Sequence, residues 1–147
     1  MTVQVADMTA LPRNLWRSTG AVLAGVFAVV ALSLGTDEVL HMTQVYPPWD
    51  RPMHEPGLNL LALSYRCVYN VIGAYITARI APRNPSRHLW VFALIGLALG
   101  TAGAIATIPL NIGPAWYPIL LAVSALPCTW LGWVLYRTLH AGRVDLR

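Results

Sequence analysis

Four long apolar segments separated by polar connections dominate the pattern of the chain. Each is close to the roughly 20 residues that an α-helix needs to cross a hydrocarbon core about 30 Å thick. The predicted spans are residues 16–35, 58–80, 89–108 and 116–136, and residues 36–57 form the longest connection between them. We therefore expect a single all-α membrane domain, residues 1–147, with four transmembrane helices in an antiparallel bundle.

The composition favours lipid over water as the main solvent. Of 147 residues, 56% are hydrophobic and only 11% are charged, whereas about a quarter of a soluble domain is charged. The net charge of +4 comes from arginines that flank the apolar segments, not from a solvated basic face. The bilayer is thus the expected partner, and nucleic acid is not.

The distribution of arginine predicts the orientation of the spans. Eight of the ten arginines precede the first span, separate the second from the third, or follow the fourth: Arg13, Arg17, Arg79, Arg83, Arg87, Arg137, Arg143 and Arg147. The connection 36–57 carries four acids and only Arg51, and the connection 109–115 carries no charge. Because positive charge near spans is retained in the cytoplasm, both termini are predicted to be cytoplasmic.

The first span has an alternative interpretation that stays open. Arg13 and Arg17, followed by the apolar residues 20–34, also have the pattern of a signal peptide, with Ala31-Leu32-Ser33 as a small-residue cleavage site. Trp16 extends the apolar segment and favours a retained span.

Small residues recur three or four apart on three of the spans, a spacing that places them on one face and lets helix backbones approach closely in lipid. These residues are Ala21, Gly25 and Ala28 on the first span, Gly96, Gly100 and Ala104 on the third, and Ser124, Cys128 and Gly132 on the fourth. We expect them to close the bundle, with self-association into a homo-oligomer or a larger membrane complex as the alternative. Cys67 and Cys128 are interpreted as small packing residues.

Prolines and polar residues predict several local features of the helices. Pro127 should bend the fourth span, with Ser124, Cys128 and Thr129 near the carbonyl of Val123 that it leaves free. Ser86 is the expected N-cap of the third span. Thr36 is the expected N-cap of a short helix over residues 37–45, unless that segment extends the first span.

Arg66 is the most informative position, because it lies within the second predicted span. A charge inside the bilayer costs about 3 kcal/mol or more. It belongs to a helical face made of Asn59, Arg66, Asn70, Gly73 and Thr77, flanked by Tyr65 and Tyr69. We expect this face to point into the bundle and Arg66 to reach Asp37 or Glu38. The pair either locks the first helix to the second, or it marks a ligand or transport site.

Catalytic and metal sites have weaker signals. Asp37, His41, His54 and Glu55 all lie in or near the long connection, but their spacing is not diagnostic of a metal site. The four histidines lie at or beyond the ends of the spans, which disfavours haem held between helices. The sequence has no phosphate-binding glycine loop, zinc-protease motif or serine nucleophile elbow. We therefore expect no catalytic residues, no metal and no cofactor.

Three segments carry a resemblance to known proteins: G-T-D-E-V-L-H-M-T-Q-V-Y-P-P-W, L-A-L-S-Y-R-C-V-Y-N-V-I-G-A-Y-I-T-A-R-I-A-P and G-P-A-W-Y-P-I-L-L-A-V-S-A-L-P. Together they resemble a family of small four-helix bacterial inner-membrane proteins. The resemblance implies the bacterial plasma membrane and implies no activity.

A second resemblance concerns the second span alone. Arg66 and Asn70 match an Arg-x-x-x-Asn motif of the membrane-associated eicosanoid and glutathione metabolism family, whose members are also four-helix chains of this length. The acid that the family places three residues later is Gly73 here, and the motif lies toward the outer end of the span.

Three hypotheses on function follow. The first, favoured by the packing signals and the lack of a reaction centre, is a non-enzymatic structural or accessory protein of the inner membrane. The second is a small carrier or ligand-binding protein with a polar pocket at Arg66 that opens outward. The third is a membrane enzyme of the glutathione type.

Overall fold

The computed structural model describes residues 10–141, which form four α-helices and one 3-10 turn. The helices are α1 (Ala10–Met42), α2 (Pro56–Ile80), α3 (Pro85–Thr107) and α4 (Trp116–Ala141), and the 3-10 turn, Ile108–Leu110, follows α3. Residues 1–9, Arg143 and Arg147 lie outside the described residues, as does the side chain of Arg13. The expectation of an all-helical chain is confirmed for the part that the structure describes.

At one of two predicted helix starts the structure follows the alternative, and at the other the prediction is wrong. Residues 37–42 extend the first span and do not form a new helix capped by Thr36, because α1 continues without a break to Met42 and no proline lies between Thr36 and Pro47. The N-cap of α3 is Asn84, not Ser86, and Asn84 adopts the left-handed conformation with φ 47°. Pro85 then takes the first helical position, where its fixed φ suits the helix and its missing N–H is not needed.

The helices alternate in direction along the chain. Residues of α1 near Gly25 meet α2 near Gly73, whereas Asp37 of α1 meets Arg66 of α2, so these two helices are antiparallel. Helix α2 packs most extensively on α1 and α4, and α3 packs mainly on α4. Helices α1 and α3 contact each other less, and this weaker contact leaves a gap between them.

Small residues set the closest helix contacts. A Cβ atom added to Gly100 would lie 2.7 Å from the Cα of Ala122 on α4, and one added to Gly132 would lie 2.7 Å from the carbonyl oxygen of Val71 on α2. Gly96 faces Ala125 in the same way, and both Ala104 and Cys128 are buried. The predicted stripes thus lie on interfaces within one chain.

Pro127 lies inside α4, as the sequence predicts, but the neighbouring hydroxyl groups do not serve the carbonyl that it frees. Ser124 donates to the carbonyl of Leu121, and Thr129 donates to the carbonyl of Ala125. Each hydroxyl bonds one turn back along its own helix, the usual partner of serine and threonine within helices. The expectation that Ser124 or Thr129 satisfies Val123 is therefore wrong.

Within the described residues, three helical segments are long and apolar enough to span a membrane: Leu15–Met42, Pro85–Leu110 and Trp116–His140. Helix α2 is not among them, because Arg66 and several polar residues lower its hydropathy. The three segments expose large apolar side chains, among them Phe27, Leu94 and Trp130. Such surfaces are compatible with a membrane-embedded protein.

The two ends of the bundle differ in charge. The basic end holds the start of α1 and α3 and the end of α2 and α4, together with Arg17, Arg79, Arg83, Arg87 and Arg137. The opposite end, called the loop end, holds the connections 43–55 and 111–115. Asp37, Asp50 and Glu55 lie toward the loop end, where Arg51 adds one positive charge.

Candidate functional site

The candidate site is built around an ion pair between α1 and α2. Because α1 continues past Thr36, it carries Asp37 alongside Arg66, whose Nη2 donates to Asp37 Oδ2. Tyr65 Oη donates to the other carboxylate oxygen of Asp37. Asp37 is 7% exposed, whereas its neighbour Glu38 is exposed. Of the two acids considered from the sequence, the structure places Asp37 against Arg66.

A second tyrosine extends this network toward the loop end. The Oη of Tyr46 lies 3.4 Å from the Oη of Tyr65 and donates to it. Tyr46 is buried, and burial raises the pKa of its phenol above the ordinary value. The phenol therefore stays protonated at neutral pH, and the chain of donors from Tyr46 through Tyr65 ends on Asp37.

The connection 43–55 is anchored over the loop end by main-chain and side-chain contacts. The Nδ2 of Asn59 lies 2.9 Å from the carbonyl oxygens of both Met53 and Glu55, and it donates to both. The backbone N–H of Met53 donates to the carbonyl of Ile112 at 2.8 Å and so joins the two connections. Asn59 is 2% exposed, so its role here is to hold the connection in place.

His41 takes part in the same anchoring. Its Nδ1 lies 2.7 Å from the carbonyl oxygen of Pro47, and its ring stacks on Trp49 with centroids 3.7 Å apart. Over residues 10–141, no group of three or more His, Cys, Asp or Glu side chains lies together. The metal alternative for Asp37, His41, His54 and Glu55 gains no support from this arrangement.

A cavity of about 390 Å³ lies under these connections and is called the loop-end cavity. Its walls come from all four helices and both connections, and its polar lining includes Asp37, His41, Asp50, Arg51, Arg66 and Tyr117. A cavity of this volume holds a small molecule, and its mixture of aromatic and charged groups is typical of ligand sites.

Two side chains that line this cavity carry hydrogen-bond donors that residues 10–141 leave unused. The Tyr117 side-chain oxygen is buried and has no partner among residues 10–141. The guanidinium of Arg66 makes its one protein hydrogen bond, within the same range, through Nη2, and its side chain is 23% exposed. The Cζ of Arg66 lies 5.8 Å from the ring centroid of Tyr117, so the two side chains are neighbours in the wall of the cavity.

A second space, called the lateral cleft, fills the gap between α1 and α3 and has a volume of about 310 Å³. Apolar side chains line most of it, including Val30, Leu34 and Leu99, all of which are exposed. Arg66 and Asn70 of α2 are polar residues of its lining, together with Ser33 and Ser124. Arg66 lines both the cleft and the loop-end cavity.

The structure divides the site residues that the sequence predicts. Arg66, Asp37 and Tyr65 are brought together, whereas the Oη of Tyr69 lies 2.7 Å from the Oγ1 of Thr36 and the two side chains share a hydrogen bond. Asn70 reaches the cleft but not the ion pair. In place of the predicted single pocket the structure has two spaces that share Arg66 in their walls.

Sequence reasoning missed two residues of the site. Tyr117 lies at the start of a predicted span, where an aromatic residue is typical of a membrane interface, and Tyr46 lies in the middle of the connection 36–57. Their burial beside Arg66 depends on how the connections fold back, which no local pattern records. A Tyr in the first turn of a span, next to a Pro and directly after a charge-free connection, is the faint signal that the sequence offers for Tyr117.

The two cysteines also meet, across the interface between α2 and α4. Cys67 and Cys128 are both free, and their side chains lie close to each other. Their interpretation as packing residues is compatible with this contact, since Cys128 is buried and lies one turn from Gly132. Their 61-residue separation along the chain gives no sign that they meet.

Comparisons of this chain with protein-family models, with curated proteins and with solved structures gave no match.

Proposed function

We propose that this chain is a small multi-pass membrane protein that binds a ligand with an anionic or hydrogen-bond-accepting group at Arg66. The ligand would enter the loop-end cavity and accept hydrogen bonds from Arg66 and from Tyr117. The observation that carries the proposal is the incomplete use of the Arg66 guanidinium, which faces a cavity of about 390 Å³ while Asp37 occupies only one of its nitrogens.

The proposal places all four helices in a bacterial inner membrane, with both termini in the cytoplasm. Helix α2 has 25 residues and is about 37 Å long at 1.5 Å per residue, which is enough to cross the hydrocarbon core. Its exposed positions include Leu60, Val68 and Ile72, while Arg66 faces Asp37. The resemblance noted above and the arginines at the basic end support this placement.

Charge complementarity identifies the ligand group. Asp37 accepts hydrogen bonds on both carboxylate oxygens, so the protein itself supplies donors for its negative charge. The remaining N–H groups of Arg66 and the O–H of Tyr117 are donors. Charge-assisted hydrogen bonds from arginine to a carboxylate or phosphate are stronger than neutral ones, so an anionic group fits these donors best.

A second candidate function is that of a structural or accessory component. The observation that favours it is that the Arg66–Asp37 pair and the Thr36–Tyr69 hydrogen bond join α1 to α2. In this case the pair serves only to hold the two helices together, and the cavity contains water.

Thermal unfolding in a neutral maltoside detergent tests the choice between the two. Inorganic phosphate, butyrate and glutathione are added in turn, because a ligand that binds only the folded protein raises its unfolding temperature. We expect phosphate or butyrate to stabilise the wild type and not the variant Asp37→Asn/Arg66→Gln, in which the buried charges are removed together. No stabilisation by any of the anions would favour the structural role, and stabilisation by glutathione alone would favour the glutathione-type enzyme.

A further inference from the structure

We propose that the ligand is an amphiphile, with its anionic head at Arg66 and its apolar tail in the lateral cleft. This inference rests on the proposed function, because it assigns a tail to the ligand whose head binds at Arg66. Arg66 is the charged residue that lines both the polar cavity and the apolar cleft, and it stands where the two spaces meet.

The head group is assigned from the donors at this junction. Arg66 offers N–H groups that Asp37 does not use, and Tyr117 offers a buried hydroxyl that has no partner within residues 10–141. Asn70, one turn further along α2, adds an amide that faces the cleft. A phosphate or carboxylate at Arg66 would accept hydrogen bonds from these groups and offset the cost of leaving them unsatisfied.

The tail is assigned from the shape and lining of the cleft. Along α1 the cleft extends from Leu34 to Val26, which is about 12 Å along the helix axis. Its base is closed by Phe92, whose ring lies 3.2 Å from a Cβ added to Gly25. The cleft is thus apolar, open at the side through Val30 and Leu99, and closed toward the basic end.

The sideways opening indicates how a tail would enter. Val30 is 46% exposed and Leu99 is 60% exposed, and they belong to α1 and α3, two of the three helices that are apolar enough to span a membrane. A tail can therefore slide between these helices from the bilayer without leaving an apolar environment, while its head stays at the depth of Arg66.

The test compares three probes that separate head from tail: dodecyl phosphate, inorganic phosphate and dodecanol. Binding to the wild-type protein in neutral maltoside detergent is measured from the unfolding temperature as a function of probe concentration. We expect dodecyl phosphate to bind at least about tenfold more tightly than inorganic phosphate, and dodecanol to bind weakly.

Two variants assign the binding to the two spaces. Leu99→Trp fills the cleft, so we expect it to weaken dodecyl phosphate about tenfold and leave inorganic phosphate unchanged. Leu94→Trp is the matched control, since Leu94 is exposed on the same helix but does not line the cleft. Tyr117→Phe removes one donor without breaking a hydrogen bond within residues 10–141, and it should weaken both phosphates.

The outcomes separate the inference from the function on which it rests. Equal affinity for dodecyl phosphate and inorganic phosphate, or no effect of Leu99→Trp, would overturn the amphiphile and leave an anion site at Arg66. Equal effects of Leu99→Trp and Leu94→Trp would show general partitioning into the detergent shell and would also overturn it. If neither phosphate binds, the proposed function itself fails.

Discussion

Arg66 and Asp37 form an ion pair that joins α2 to α1 inside the bundle. Asp37 is almost fully buried, and Arg66 and Tyr65 supply its two hydrogen bonds. Removing one member of a buried pair leaves the other charge without compensation, which costs more than the pair itself contributes. Removing either partner alone should therefore lower the stability of the protein more than removing both would suggest.

A double-mutant cycle measures this dependence. We expect Arg66→Gln and Asp37→Asn each to lower the free energy of unfolding by about 2 to 3 kcal/mol. The double variant should lose less than the sum, because neither charge is then left alone. Thermal or denaturant unfolding in detergent provides the measurement, with Glu38→Gln as the control on an exposed neighbour. Additive losses would contradict a direct interaction.

At the scale of single residues, the sequence predicts the special status of Arg66 but not its surroundings. An arginine in the middle of an apolar segment is visible in one dimension, and Asp37 is among the few acids available to it. Tyr117 lies 51 positions along the chain from its neighbour Arg66, and Cys128 lies 61 positions from its neighbour Cys67. Their proximity is a property of the tertiary packing, which the local pattern does not encode.

The helices are held together by close backbone approach as well as by the ion pair. Gly100 on α3 faces the backbone of Ala122 on α4, and there is no room for a side chain between them. Gly103, which lies beside the same stripe, faces open space. The two glycines therefore provide a matched pair, since they share a helix and an intrinsic helix propensity.

The variants Gly100→Ala and Gly103→Ala should change stability in opposite directions. The new Cβ at residue 100 would lie 2.7 Å from the Cα of Ala122, so α3 and α4 must separate, at a cost of about 1 to 3 kcal/mol. At residue 103 the same change meets no atom and gains up to about 1 kcal/mol of helix propensity. Unfolding in detergent measures both, and an equal response at the two positions would contradict the packing of α3 on α4.

At the scale of elements, the apolar segments predict the four helices and about half of their limits. The starts of α2 and α4 fall within two residues of the predicted starts. The end of α1 does not, because contact with α2 keeps residues 36–42 helical although their composition is polar. The sequence does not predict the N-cap at Asn84, because this residue makes no side-chain capping hydrogen bond. It begins α3 through a left-handed backbone conformation directly before Pro85.

The whole molecule has a basic end and a loop end, and the proposed orientation follows from this difference. Every arginine with a described side chain other than Arg51 and Arg66 lies at the basic end. A reporter test checks the orientation in bacterial cells. Green fluorescent protein fused after Arg147 should fluoresce, and alkaline phosphatase inserted after Asp50 should be active, because the former folds in the cytoplasm and the latter outside it. The reverse pattern would contradict the orientation.

The central claim is that Arg66 binds an anionic group while it remains paired with Asp37. Native mass spectrometry of the 16.1 kDa protein, released from neutral maltoside detergent after incubation with dodecyl phosphate, tests this claim most directly. We expect one bound dodecyl phosphate per chain in the wild type and loss of that species in the folded variant Asp37→Asn/Arg66→Gln. Equal occupancy in the two proteins, or a wild type that emerges with no bound phosphate, would contradict the claim.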